Sequence, residues 1–199
     1  HQGMGLLALA HFLCDGPVVR RFMSDPAVRA TEVLLQERVP EVTPAIQPHM
    51  HEAASVIVGG TLAAAAEIAA GRTRRAVSIG GGMHHAMPSS AAGFCIYNDA
   101  AIAISWLLDH GFDRIAYLDV DVHHGDGVQH AFYADPRVLT VSLHQHPATL
   151  WPNTGWPEET GIGVAEGTSI NLPLLPGTRD AQWLRGFHAV VPGAVWIGR

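Results

Sequence analysis

Apolar residues from His51 to Ala70, many of them alanine, fall on more than one side of a 3.6-residue repeat, which predicts a well-buried helix. Gly59-Gly60 lowers its helix propensity and reads as a close-packing point. Ala76-Val77-Ser78-Ile79 is a short apolar run that predicts a strand. Asn98 or Asp99 can cap a helix through Asp109, with Gly111 as its left-handed stop. A strand is expected over 114–122, then a short helix from about Gly127 that ends before Asp135-Pro136. Further strands are expected over 138–143 and, more weakly, 169–174, and Thr178 is placed as the cap of a final helix through about Val191. Strands alternating with helices imply an α/β fold whose parallel sheet is covered on both faces. The Gly/Pro-rich span Pro147 to Gly167 reads as one long active-site loop.

One of these strands is polar where a buried strand should be apolar. Residues two apart share a face, so Leu118, Val120 and Val122 point one way while Asp119, Asp121 and His123 point the other. Crowded carboxylates repel and desolvate one another unless a positive charge sits among them. A divalent cation held by carboxylate and imidazole answers that need. A solvated edge strand is the bland alternative, and the apolar opposite face together with His123-His124-Gly125-Asp126-Gly127 argues against it. Gly80-Gly81-Gly82-Met83-His84-His85 then follows the 76–79 run, where a glycine turn can bring two imidazoles together at a strand end. Tandem histidines beside a metal strand favour acid–base chemistry.

The chain has 199 residues, 48% of them hydrophobic and 15% charged, enough for one domain with a real core. No uninterrupted apolar stretch approaches a membrane span, and the apolar run Gly5 to Cys14 lacks a preceding basic segment, so no signal peptide is expected. Cys14 and Cys95 alone give no disulfide framework and suit a reducing cytoplasm. A net charge of −6, with no basic run beyond Arg72 to Arg75, argues against nucleic acid and mildly favours a cationic partner such as a lysine-bearing peptide or polyamine.

Four motifs together carry a family resemblance. Gly81-Gly82-Met83-His84-His85-Ala86, Gly93-Phe94-Cys95-Ile96-Tyr97-Asn98-Asp99, Asp119 to Gly127 and Thr140-Val141-Ser142-Leu143-His144 resemble, in order and spacing, the zinc-dependent histone deacetylase family. The bacterial acetoin-utilization branch is the most similar. The resemblance is firm from about Gln47 to Val191. It implies a three-layer α/β/α fold of the arginase/deacetylase kind, present as a single partial domain incomplete at both ends, and zinc-dependent hydrolysis of an acetyl amide. It implies that Asp121 and His123 ligate zinc. His85 would be the general base and acid, with His84 its electrostatic partner; Asp119 would orient His84, and Asp126 His85. Phe94 and Trp151 would wall a channel for an extended alkyl chain. Asp119, Asp121, the His123 carbonyl, Ser142 and the Leu143 carbonyl would hold a structural potassium ion.

The chain also departs from that family. Neither Asp135 nor Asp180 sits in the Gly-x-Asp pattern of the third zinc ligand, and no later tyrosine matches the oxyanion-stabilising one. A low-activity fragment is therefore expected, with an acetylpolyamine amidohydrolase and a non-catalytic pocket-retaining protein as the alternatives. Cys95 reads as a small buried residue, His124 and His144 as hydrogen-bonding groups near the site, and His146 as a candidate for the channel entrance.

Overall fold

The structure is a computed structural model that describes residues 48–197. His11, Cys14 and the run Gly5 to Cys14 lie outside these residues. The elements are α1 (Pro48–Ala69), α2 (Asp99–Asp109), β1 (Ile115–Asp119), α3 (Asp126–Phe132), β2 (Val138–Gln145), β3 (Ser169–Leu174) and α4 (Asp180–Ile197), with a 3-10 turn at Gly163–Ala165. The strands are parallel in the order β1-β2-β3.

Strand alternation sorts the sheet into two unlike faces. Ile115 and Val138 look toward α2 and α3, packing with Ala101, Ile104, Val128 and Phe132. Leu139, Val141, Leu143, Ile170 and Leu172 look the other way and pack beneath α4 through Trp183, Phe187, Val190, Val191 and Ala194. Helices thus cover both faces, as parallel strands require. On the α2/α3 face the residues turn polar toward the strands' carboxyl ends. Tyr117, Thr140 and Ser169 align in one row, and Asp119, Ser142 and Asn171 in the next. Ligands of α/β sheets bind at that end.

Local signals explain most boundaries. The Asn98 side chain accepts from the Ala101 N–H to start α2, and Gly111 follows its end at φ +87°. α3 ends at Phe132, before Asp135-Pro136. α4 runs past Val191 to Ile197, with Pro192 inside it. Thr178 does not cap that helix, because its hydroxyl donates to the Leu175 carbonyl. The Gln182 side chain instead accepts from the Arg179 N–H, a reciprocal cap contributed from inside the helix.

Further expectations are corrected. Residues 76–79 form no strand. A strand needs a ladder partner, none is present among the described residues, and Val77 and Ile79 are 84% and 77% exposed. The 114–122 strand closes at Asp119, and the metal-motif residues beyond it lie in a bend. Helix α1 is not buried all round. It buries Ala53, Ala54, Ile57 and Ala65 and leaves Val56 and Ile68 exposed. Over His49–Ala69 it is also long and apolar enough to cross a membrane by length and composition, which an expectation based on uninterrupted runs missed. It packs along α2.

Candidate active site

The site grows from the polar end of β1. Asp119 is buried, and its Oδ2 accepts from His84 Nδ1 at 2.6 Å and from the Tyr117 hydroxyl at 2.7 Å. Its Oδ1 accepts the Asp121 N–H at 3.1 Å. Burial alone would raise the carboxyl pKa, but these donors and the charge of His84 outweigh it and hold the pKa below the ordinary carboxylate value. Burial likewise disfavours charge on His84. The hydrogen bond to Asp119 and the charges of Asp119, Asp121 and Asp126 outweigh it, so the imidazole is more basic than an ordinary histidine. Tyr117 is pushed well above its usual range by burial and by Asp119, which keeps it a neutral donor.

A second carboxylate serves the second histidine. Asp126, the first residue of α3, accepts from His85 Nδ1 at 2.6 Å and from the Gly127 N–H at 3.0 Å. The two imidazoles are buried with ring centres 4.0 Å apart. Each Nδ1 is committed to a carboxylate, which fixes the tautomer and leaves Nε2 as the nitrogen that can exchange a proton.

Asp121 and His123 reach the same mouth. His123 Nδ1 lies 2.9 Å from Asp121 Oδ1, both side chains are part-exposed, and the His123 ring centre is 5.8 Å from that of His85. Two donors of this kind can converge on one cation. Among the described residues no cluster of three metal-ligating side chains occurs. Of the expected potassium donors, Asp119 and Ser142 are register partners, and the Ser142 hydroxyl bonds His144 Nδ1 at 2.9 Å.

The Trp151 ring stands 4.5 Å from His85 and 6.4 Å from His123, forming one wall of the opening. It packs over Gly93, whose position leaves no room for a Cβ. That atom would lie 2.5 Å from the His85 ring and 2.7 Å from the Trp151 ring. Phe94 follows at φ +65° and is 75% exposed. His146 packs edge-on to Trp156 and not against His84 or His85, and Cys95 is buried.

Behind the site lies a second histidine pair. His124 Nδ1 meets Thr154 Oγ1 at 2.8 Å and its Nε2 meets Gln129 Oε1 at 3.1 Å. His144 Nε2 donates to the Gly155 carbonyl at 2.9 Å. Gln129 donates to Glu159 at 2.6 Å, and Glu159 accepts the Gly155 and Trp156 N–H groups. This web fastens the long loop that carries Trp151. Gly155 lies against both rings, where a Cβ would come 2.5 Å from His144 Nε2.

Sequence reasoning missed Tyr117, Gln129 and Glu159. Tyr117 was accessible, since it shares the Asp119 face by alternation. Gln129 and Glu159 carry no local signal, because they meet only through the fold.

A profile of the histone deacetylase domain matches residues 19–196. The acetoin utilization protein AcuC of Bacillus subtilis is 46% identical over 139 residues, covering 70% of this chain and 36% of that protein. A probable deacetylase of Archaeoglobus fulgidus is 51% identical over 112 residues, 56% of this chain and 31% of that one. Among solved structures, a histone deacetylase homolog from Aquifex aeolicus superposes with a TM-score of 0.70 at 38% identity, covering 74% of this chain and 40% of the other. An acetylpolyamine aminohydrolase from Burkholderia pseudomallei gives 0.68 at 37%, covering 72% and 42%. The chain therefore spans well under half the length of these relatives, and it shares their α/β/α deacetylase architecture. On the profile match and these identities, it belongs to the histone deacetylase family.

Proposed function

We propose that this domain contributes the acid–base and part of the metal-binding machinery of a zinc-dependent hydrolase that removes acetyl groups from the amine of lysine or a similar chain. The observation that carries the reading is the pair of carboxylate-bonded imidazoles, His84 with Asp119 and His85 with Asp126, opening beside Asp121 and His123. The family is zinc-dependent in general. The donor chemistry of Asp121 and His123 fits zinc and supplies two of the three protein ligands a catalytic zinc takes. A third would come from outside residues 48–197. Zinc held there supplies Lewis-acid activation of an acetyl carbonyl and of water.

The chain's own residues do the rest. His85, nearer His123 and Trp151 than its neighbour, takes a proton from the attacking water on Nε2 and returns it to the leaving amine nitrogen. Asp126 keeps its Nδ1 protonated throughout. His84, made basic by Asp119, places positive charge beside the reacting centre. Trp151 and Phe94 line the approach for an alkyl stem, and Asp119, Asp121, the His123 carbonyl, Ser142 and the Leu143 carbonyl are the proposed potassium donors.

The test is turnover of an acetyl-lysine peptide and of an acetylated polyamine by the full-length protein, with and without chelator. Chelator-sensitive release of acetate from the peptide supports the reading. A preference for the polyamine would favour the amidohydrolase alternative, which the similarity to the Burkholderia enzyme supports. Tight ligand binding without turnover would favour the non-catalytic one.

A further inference from the structure

The tandem histidines sit on a glycine-rich loop with no regular structure, yet catalysis needs their nitrogens fixed within fractions of an ångström. We propose that Asn98 and Asp99, adjacent residues at the start of α2, are positioning residues that clamp the backbone on both sides of His84 and His85. The inference rests on the deacetylase reading for its kinetic consequence, and on contacts alone for the clamp.

Asp99 is 1% exposed. Among the described residues it has no ion-pair partner, so its carboxylate is held by neutral donors. The Gly82 N–H lies 3.0 and 3.1 Å from its two oxygens, the Met83 N–H donates at 2.7 Å, and the Thr61 hydroxyl of α1 donates at 2.6 Å. Gly81 makes the nest possible, because a Cβ there would collide with Asp99 Oδ2. A carboxylate at a helix start also gains from the helix dipole, but that alone does not explain why both oxygens are spent on loop amides.

Asn98 holds the other side. Its Oδ1 caps α2, while its Nδ2 donates to the carbonyls of His84 and Ala86, each at 3.2 Å. The Gly127 N–H donates to the same His84 carbonyl at 3.0 Å. A Cβ at Gly127 would lie 2.7 Å from Asn98 Nδ2, so that glycine clears the path. Amides 82 and 83 and carbonyls 84 and 86 are therefore all tied to one rigid helix start. The imidazoles project from between these ties toward Asp119 and Asp126.

The deciding experiment has two readouts on the full-length protein. Asp99→Asn keeps the shape but turns one oxygen into a donor facing donors. Asn98→Ser keeps a helix cap but is too short to bridge the two carbonyls. Both variants should shift or broaden the downfield proton signals of the His84 and His85 Nδ1–H groups. Both should lower kcat on an acetyl-lysine peptide by about 10- to 100-fold, with KM changed less than about twofold. If Asp99→Asn does not fold by circular dichroism, Asn98→Ser decides. Folded variants with wild-type imidazole signals would overturn the clamp. A wild-type protein without turnover would sink the deacetylase reading instead, and the proton signals would still judge the clamp.

Discussion

Four buried imidazoles form two pairs of nearly the same geometry and opposite chemistry. His84 and His85 lie 4.0 Å apart at 49°, and His124 and His144 lie 4.8 Å apart at 50°. The first pair is bonded to carboxylates, and His84 is more basic than usual. The second is bonded to hydroxyl, amide and peptide groups. Burial dominates there, pushing His124 down and His144 down to about 4. Depth alone does not set how readily a buried imidazole takes up a proton. The charge of the partner does.

The sharpest way to break this contrast is to remove one ring from each pair. His85→Ala should cost about 10²- to 10⁴-fold in turnover in the full-length protein, as loss of a general base does. His144→Asn should leave far more activity, and equal losses in kcat would erase the distinction. The next effect is one of stability with pH. His144 binds no proton in the fold until about pH 4, whereas the unfolded chain protonates it near 6.5. Stability is therefore full above about 6.5 and falls as the pH drops toward 4, by up to about 3 kcal/mol from this residue. Urea midpoints between pH 7 and 4.5 measure it, and His144→Asn should flatten the curve.

Smaller again, Asp126→Asn should lower kcat by about 10- to 100-fold, because the amide no longer supports an imidazolium. An unchanged kcat would mean that Asp126 only packs. The mildest change is Thr154→Val, which leaves His124 Nδ1 without its donor and should cost about 1 kcal/mol of stability with kcat nearly intact, read from thermal unfolding and steady-state rates.

Much of this arrangement was legible in the chain. Alternation predicts that Asp121 and His123 share a strand face with Asp119; they lie in a bend beyond the strand's end, and it is the bend that brings them within 2.9 Å of each other. The capping signals of Asn98 and Gly111 fixed α2 because such signals act within one turn of chain. What failed was of the opposite kind. Ala76–Ile79 has strand composition, but a strand exists only with a partner, and partnership is not written in four residues. Thr178 had the chemistry of a cap, yet Gln182 was better placed to provide it. The second histidine pair was expected as hydrogen-bonding groups, but Gln129 and Glu159 come from 30 residues apart and only folding introduces them.

The glycines that give these rings their room set the protein's tolerance to mutation. Gly93 lies against His85, Gly125 against Asp119 and His84, Gly127 against the backbone of the histidine loop, and Gly155 against His124 and His144. At each, even alanine would push a methyl group into the machinery. A scan of every substitution should therefore find these four positions as unforgiving as the histidines themselves, although they carry no functional group at all.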